Sequence, residues 1–169
     1  MKSNLIVSLL LMGWLFVSCS VADIPDEGVI SPVSAPDDII AFFEEHLPKN
    51  SQTFCQTDFK FSDMEFSENE CFLINSKSEF KAVVTDGVEV PLPDIDFKKY
   101  SLIIGKCTLG DPGYVLDEQA VHTEGDHMKL QLQYRRLDGF FPCVVTDFYF
   151  WGLYQKLPDL PLEVDLDII

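Results

Sequence analysis

The sequence predicts an α+β fold: a mainly antiparallel β-sheet or small sandwich in the C-terminal half, with two short helices from the N-terminal half. Three observations predict it. Met128, Leu130, Leu132 and Tyr134 alternate with Lys129, Gln131, Gln133 and Arg135, the period-two pattern of a strand with one buried face. Leu162, Val164, Leu166 and Ile168 alternate with Glu163, Asp165 and Asp167 in the same way. Earlier in the chain the period changes: Ile39, Ile40, Phe43 and Leu47 recur at helical spacing, and Pro48 stops the pattern.

Taken in order, the chain opens on Lys2 and a short apolar run from Leu5 to Val17, broken by Ser8 and Gly13. A positive start, a short apolar run and a small residue mark a secretory signal peptide. The run is shorter than the roughly 20 apolar residues that span a bilayer. Leu15-Phe16-Val17-Ser18-Cys19 resembles the lipobox of bacterial lipoproteins. The resemblance implies cleavage after Ser18, a lipid on Cys19, and, with serine following, an outer-membrane location facing the periplasm or the outside. Residues 1–18 are then the signal peptide. Residues 19–33, with Pro25, Asp26, Glu27, Gly28, Ser31 and Pro32, read as a flexible tether. Residues 34–169 read as a single α+β domain, large enough to bury a real core.

Within that domain Ser34-Ala35-Pro36-Asp37 looks like a helix start, and one helix is expected over Asp37–His46. Residues 53–66 alternate in places, as at Phe59 and Phe61, and predict one or two short strands before a turn at 67–70. Residues 71–74 predict a buried strand. Ser76 and Glu79 form a capping box ahead of a short helix whose apolar side is Phe80, Val83 and Val84. Residues 88–93, interrupted by prolines, are loop or edge.

Leu102, Ile103 and Ile104 stand consecutively, the mark of a strand covered on both faces. Gly110-Asp111-Pro112-Gly113 is a turn, 114–122 a strand, and Thr123-Glu124-Gly125-Asp126 closes a hairpin onto the Met128 strand. Asp138-Gly139 turns again. Residues 143–151, aromatic and β-branched, make the next strand, and 162–168 the last.

Formal net charge is −16, and Lys2 leaves with the signal, so the mature chain is more acidic still. Nucleic acid and anionic lipid demand Lys and Arg, and a chain this acidic excludes them as partners. Fourteen phenylalanines exclude a disordered chain. With Cys19 lipidated, Cys55, Cys71, Cys107 and Cys143 remain, an even set that in an exported protein predicts disulfides. Four cysteines allow three pairings, and Cys55–Cys71 with Cys107–Cys143 is the expected one.

Ile74-Asn75-Ser76 before a Glu-Phe helix, the stretch from Asp94 through Lys99-Tyr100 to Gly105, Gly113-Tyr114, and Tyr149-Phe150-Trp151-Gly152-Leu153-Tyr154 together resemble small, function-unassigned lipoproteins of Bacteroides-type bacteria. From about Ile74 onward the chain is also loosely similar to the C-terminal domain of PrcB-like protease-accessory lipoproteins. That likeness implies a fold and an accessory role, and it supplies no catalytic residues.

Candidate chemistry is sparse. His122, Glu124, Asp126 and His127 cluster across one hairpin turn and offer weak metal candidates, chiefly His122, Asp126 and His127, although a polar turn explains them as well. Glu163, Asp165 and Asp167 share one strand face; a straight strand spaces them about 7 Å apart, so a solvated face that deters edge pairing fits better than a calcium loop. No G-x-S-x-G occurs. Phe140, Phe141, Tyr149, Trp151 and Tyr154 are the aromatic surface candidates, with Tyr149, Trp151 and Tyr154 the expected binding residues. The expectation is a lipid-anchored, non-catalytic binding or accessory module without cofactor or resident metal. Its partner would be an envelope protein or a glycan; a hydrolase or a metal-binding envelope protein is the alternative.

Overall fold

The computed structural model describes residues 28–48, 50–52, 57–61, 69–87 and 89–169. Its elements in chain order are β1 (Val29–Ile30), α1 (Asp37–His46), β2 (Asn50–Gln52), β3 (Glu70–Ile74), α2 (Lys77–Val83), β4 (Tyr100–Leu109), β5 (Tyr114–Glu124), β6 (His127–Arg136), β7 (Thr146–Gln155) and β8 (Leu162–Ile168). The fold is α+β and dominated by sheet. One sheet has the order β1-β5-β6-β8 and the other β2-β7-β4-β3. Pairings are antiparallel except that β8 lies parallel to β6, with Leu130 opposite Val164.

The two sheets face each other across one core, and the helices cover the far side of the second sheet with another. Leu130, Leu132 and Tyr134 of β6 meet Ile103 and Cys107 of β4 and Phe148, Phe150 and Tyr154 of β7 in the inter-sheet core. On the opposite face, Leu102, Ile104 and Leu153 pack with Ile39, Phe42, Phe43 and Phe80 of the helices. This two-sided burial is what the consecutive Leu102-Ile103-Ile104 requires, since neighbouring strand residues point to opposite faces. Gly105 lets β7 come close: a Cβ there would sit 2.1 Å from the Phe150 ring.

The helices are fixed by rings and caps. Phe43 stacks on Trp151 at 4.3 Å between ring centres, and Phe42 meets Phe80 edge-on at 5.9 Å. Burying each such ring stabilises the fold by about 1.5–3 kcal/mol. Ser76 caps α2 as expected: its Oγ accepts from the Glu79 N–H at 3.2 Å, while the Glu79 carboxylate accepts from the Asn75 N–H at 2.6 Å. Ser34 does not cap α1. Pro36 occupies the cap position, and Asp37 and Asp38 supply the negative charge that the helix N-terminus favours.

Other expectations are corrected. Residues 29–33 are no tether, because β1 pairs with β5 and the Val33 N–H donates to the Leu153 carbonyl at 2.7 Å. The strands expected over 53–66 fall largely outside the described residues; within 57–61 only the Phe59–Val84 bridge forms. β7 begins at Thr146 rather than at 143, since Pro142 cannot donate to a ladder and the residues after it run exposed. The Cys107–Cys143 disulfide does not form. Cys107 is buried between the sheets, Cys143 lies on the surface, and both thiols are free, as is Cys71. Cys55 and Cys19 lie outside the described residues. No helix among the described residues is long and apolar enough to cross a membrane.

Candidate functional site

The expected binding aromatics are not surface residues. β4 and β7 form the centre of a doubly covered sheet, so alternation sends β7 side chains into one core or the other. Tyr149 and Tyr154 are buried, and Trp151 lies half-buried against Phe43. The Tyr154 hydroxyl is buried without a hydrogen-bond partner among the described residues, and that of Tyr134 lies against the Cys107 thiol. Burial holds both phenols above the usual tyrosine range.

The hairpin candidates divide. His127 contacts Glu124 at 3.4 Å and Asp126 at 3.3 Å, but Lys129 also holds Glu124, at 3.1 Å, and keeps its carboxyl below the usual range. His122 points elsewhere and pairs with Gln131 at 3.1 Å. No three His, Cys, Asp or Glu side chains among the described residues are placed to hold a metal ion. Glu163, Asp165 and Asp167 lie along the exposed face of the edge strand β8.

Ser101 is the most deeply set hydroxyl. It donates to Asn75 Oδ1, which also accepts from Lys156 Nζ at 2.9 Å, and it accepts from the Leu157 N–H at 2.9 Å. A fully buried serine with both roles filled ties β3, β4 and β7 together. Cys107 is enclosed and Cys71 half-buried; burial pushes both thiols up to about 11, which leaves little reactive thiolate at neutral pH. An open cleft of about 680 Å³ beside α2 carries both signs of charge, Lys77 and Lys81 against Asp86 and Glu89.

What stands apart is one end of the sandwich, where β4 and β6 finish, β5 and β7 begin, and the chain reaches Ile169. Eight large apolar side chains are exposed among the described residues, and seven gather there: Val115, Leu137, Phe140, Val144, Val145, Ile168 and Ile169. Phe140 is 100% exposed. Its presentation has a cause in the neighbouring residues. Phe141 turns inward onto Gly113, whose missing Cβ would otherwise sit 2.4 Å from the ring. Residues 110–113 are themselves locked, since Asp111 accepts from the Gly113 N–H at 2.8 Å and from Arg136 at 3.0 Å. The Arg136 guanidinium also lies 5.0 Å from the centre of the Tyr114 ring and donates to its hydroxyl. The C-terminus is tied to the same end, Ile169 exchanging backbone hydrogen bonds with Tyr134 and Arg136 at 3.0 Å.

Beneath this end lies a polar island that the sequence reading missed. Lys106 and Asp147 are 3% and 6% exposed, and Thr108 donates to Asp147 at 2.7 Å. The visible signal was a lysine and a threonine inside the apolar run from Leu102 to Leu109. For Phe140 the signal was an aromatic pair bracketed by Gly139 and Pro142, which places one ring on a loop. No protein-family model, no curated protein and no solved structure matches the chain.

Proposed function

We propose that the protein is a lipid-anchored, non-catalytic contact module of the bacterial cell envelope, held at the outer membrane through Cys19. The apolar end of its sandwich is the contact surface. The observation that carries this reading is the exposed Phe140, held outward by the docking of Phe141 on Gly113. Loops presented by a rigid sheet scaffold are where contact residues concentrate, and an exposed apolar cluster of this kind marks an interaction site. The enclosed Ser101 and the two thiols with little thiolate support the non-catalytic part of the reading.

The experiment is photo-cross-linking in intact cells, with a benzophenone side chain placed at position 140 or, as control, at position 163. Adducts formed from 140 and absent from 163 are expected, together with loss of acylation and of membrane fractionation on Cys19→Ala. Equal labelling from both positions, or an unchanged membrane fraction after Cys19→Ala, would refute the reading.

A further inference from the structure

Resting on the lipid-anchored reading, we infer that the apolar end meets the bilayer itself, with Phe140 seated where headgroups give way to acyl chains. Charge supports a lipid partner first. Across residues 110–113 and 137–145 only Asp111 and Asp138 are charged, in a chain whose net charge is −16. Asp111 is neutralised by Arg136, and Arg135 at the rim is paired with Asp117 at 3.3 Å. Apart from Asp138, this end can therefore approach a low-dielectric surface at a smaller desolvation cost than the acid-lined outer face of β8. The acidity elsewhere restricts the surface to zwitterionic lipid.

Size points the same way. A stable protein interface needs roughly 800 Å² from each partner. One fully exposed phenylalanine supplies about 200 Å², and the six residues around Phe140 are partly covered, Val115, Val144 and Val145 being only 36–37% exposed. These apolar side chains alone fall short of that area. A shallow insertion suffices, because interfacial elements bury their apolar side only about 5–10 Å into the headgroup boundary.

Reach is the third argument. Val29 pairs with His122, eight residues along β5 from Tyr114 at the apolar end, a distance of about 26 Å. Ten residues separate Cys19 from Val29 and span up to about 34 Å. Because β1 is antiparallel to β5, the chain before Val29 starts toward the β5–β6 hairpin end. Doubled back and nearly fully extended, it would still bring a lipid on Cys19 to the plane of the apolar end, so anchor and loop can enter one leaflet together. The domain would then stand with its strands steep to the membrane and its acidic outer face turned aside into solvent.

The test uses the acylated chain from Cys19 carrying Phe140→Trp, reconstituted in vesicles of phosphatidylcholine and phosphatidylethanolamine. Trp14 leaves with the signal peptide, and the contribution of Trp151 is subtracted with the parent chain. The new indole should shift to the blue and lose at least roughly half its emission to lipids brominated near the glycerol end, as a shallow interfacial seat requires. A Glu163→Trp chain should show neither change. In a second arm the Cys19→Ala chain is mixed with an excess of the same vesicles, and its flotation should fall roughly tenfold on Phe140→Ser. An indole at position 140 that stays unquenched on vesicles bearing the chain overturns the inference and leaves the anchor standing. So does one protected only after an envelope protein fraction is added. Failure of the acylated chain to float overturns the anchor instead, and the excess-lipid arm still decides the docking.

Discussion

The burial of Cys107 makes the stability of this protein fall in alkali by an amount that can be worked from its surroundings. The thiol is 1% exposed, between β4 and β6, next to Tyr134. Removal from water raises its pKa from 9.0 to about 11; a hydrogen bond from Tyr134 opposes the rise, and the nearby Asp147 carboxylate adds to it. In the unfolded chain the same thiol ionises near its ordinary value. Between pH 9 and 11 the folded state therefore holds a proton that the unfolded state has released, so stability is full below pH 9 and declines as pH rises toward 11. Two pH units at about 1.4 kcal/mol each give a loss of about 3 kcal/mol from this one group. The assay is urea unfolding of the reduced protein at intervals from pH 7 to 11, for the parent chain and for Cys107→Val. Lysines and tyrosines titrate in both, so the difference between the two curves isolates the thiol. Parallel curves would refute the reasoning and mean that Cys107 is solvated or already paired.

The remaining predictions concern single groups. Tyr154→Phe should be neutral or stabilising by about 1 kcal/mol, because it deletes a buried hydroxyl with no partner among the described residues; a thermal midpoint about 3 °C higher is expected, and a marked fall would reveal a bound water. Ser101→Ala should cost about 2–3 kcal/mol in urea unfolding, since it orphans the buried Leu157 N–H. Ser76→Ala should cost about 1 kcal/mol by removing the α2 cap, with Ser76→Gly costing less. Titration of the reduced native protein with an aromatic disulfide reagent should modify Cys143 at once, the half-buried Cys71 more slowly, and Cys107 only on unfolding.

Most of the sheet was legible because its patterns are local. Leu102-Ile103-Ile104 announced a doubly covered strand, and the alternation from Met128 to Arg135 announced β6, since both depend only on which face a side chain takes. The Ser76–Glu79 cap was legible for the same reason: its bonds close within five residues. β1 and β2 were not legible. They span two and three residues, too short for any period, and exist because β5 and β7 offer edges to pair with. The parallel placement of β8 beside β6 is likewise a tertiary choice. The cysteines misled because spacing says nothing about faces: Cys107 is on an inward face and Cys143 on a loop. The β7 aromatics misled in the opposite direction, since an exposed patch and a two-sided core look alike in sequence.

That two-sided core limits where function can sit. β4 and β7 commit their apolar side chains to packing: Ile103, Cys107 and Leu109 of β4 enter the inter-sheet core, Leu102 and Ile104 the helix core. The outer face of the first sheet is the complement, polar along β6 and acidic along β8, with His122 and Lys129 already satisfied by Gln131 and Glu124. Apart from the cleft beside α2, a ligand of apolar character is left the strand ends. At the β5–β6 hairpin end the turn residues Glu124, Asp126 and His127 are polar, with His127 in contact with both carboxylates and Lys129 paired to Glu124. At the opposite end the loops carry Leu137, Phe140, Val144 and Val145 instead, beside a C-terminus that finishes on two isoleucines. The asymmetry costs solubility and gives nothing to folding, because Phe140 touches neither core. Retaining it makes physical sense where a second, apolar phase waits beside that end, and the lipid proposed on Cys19 would put one there.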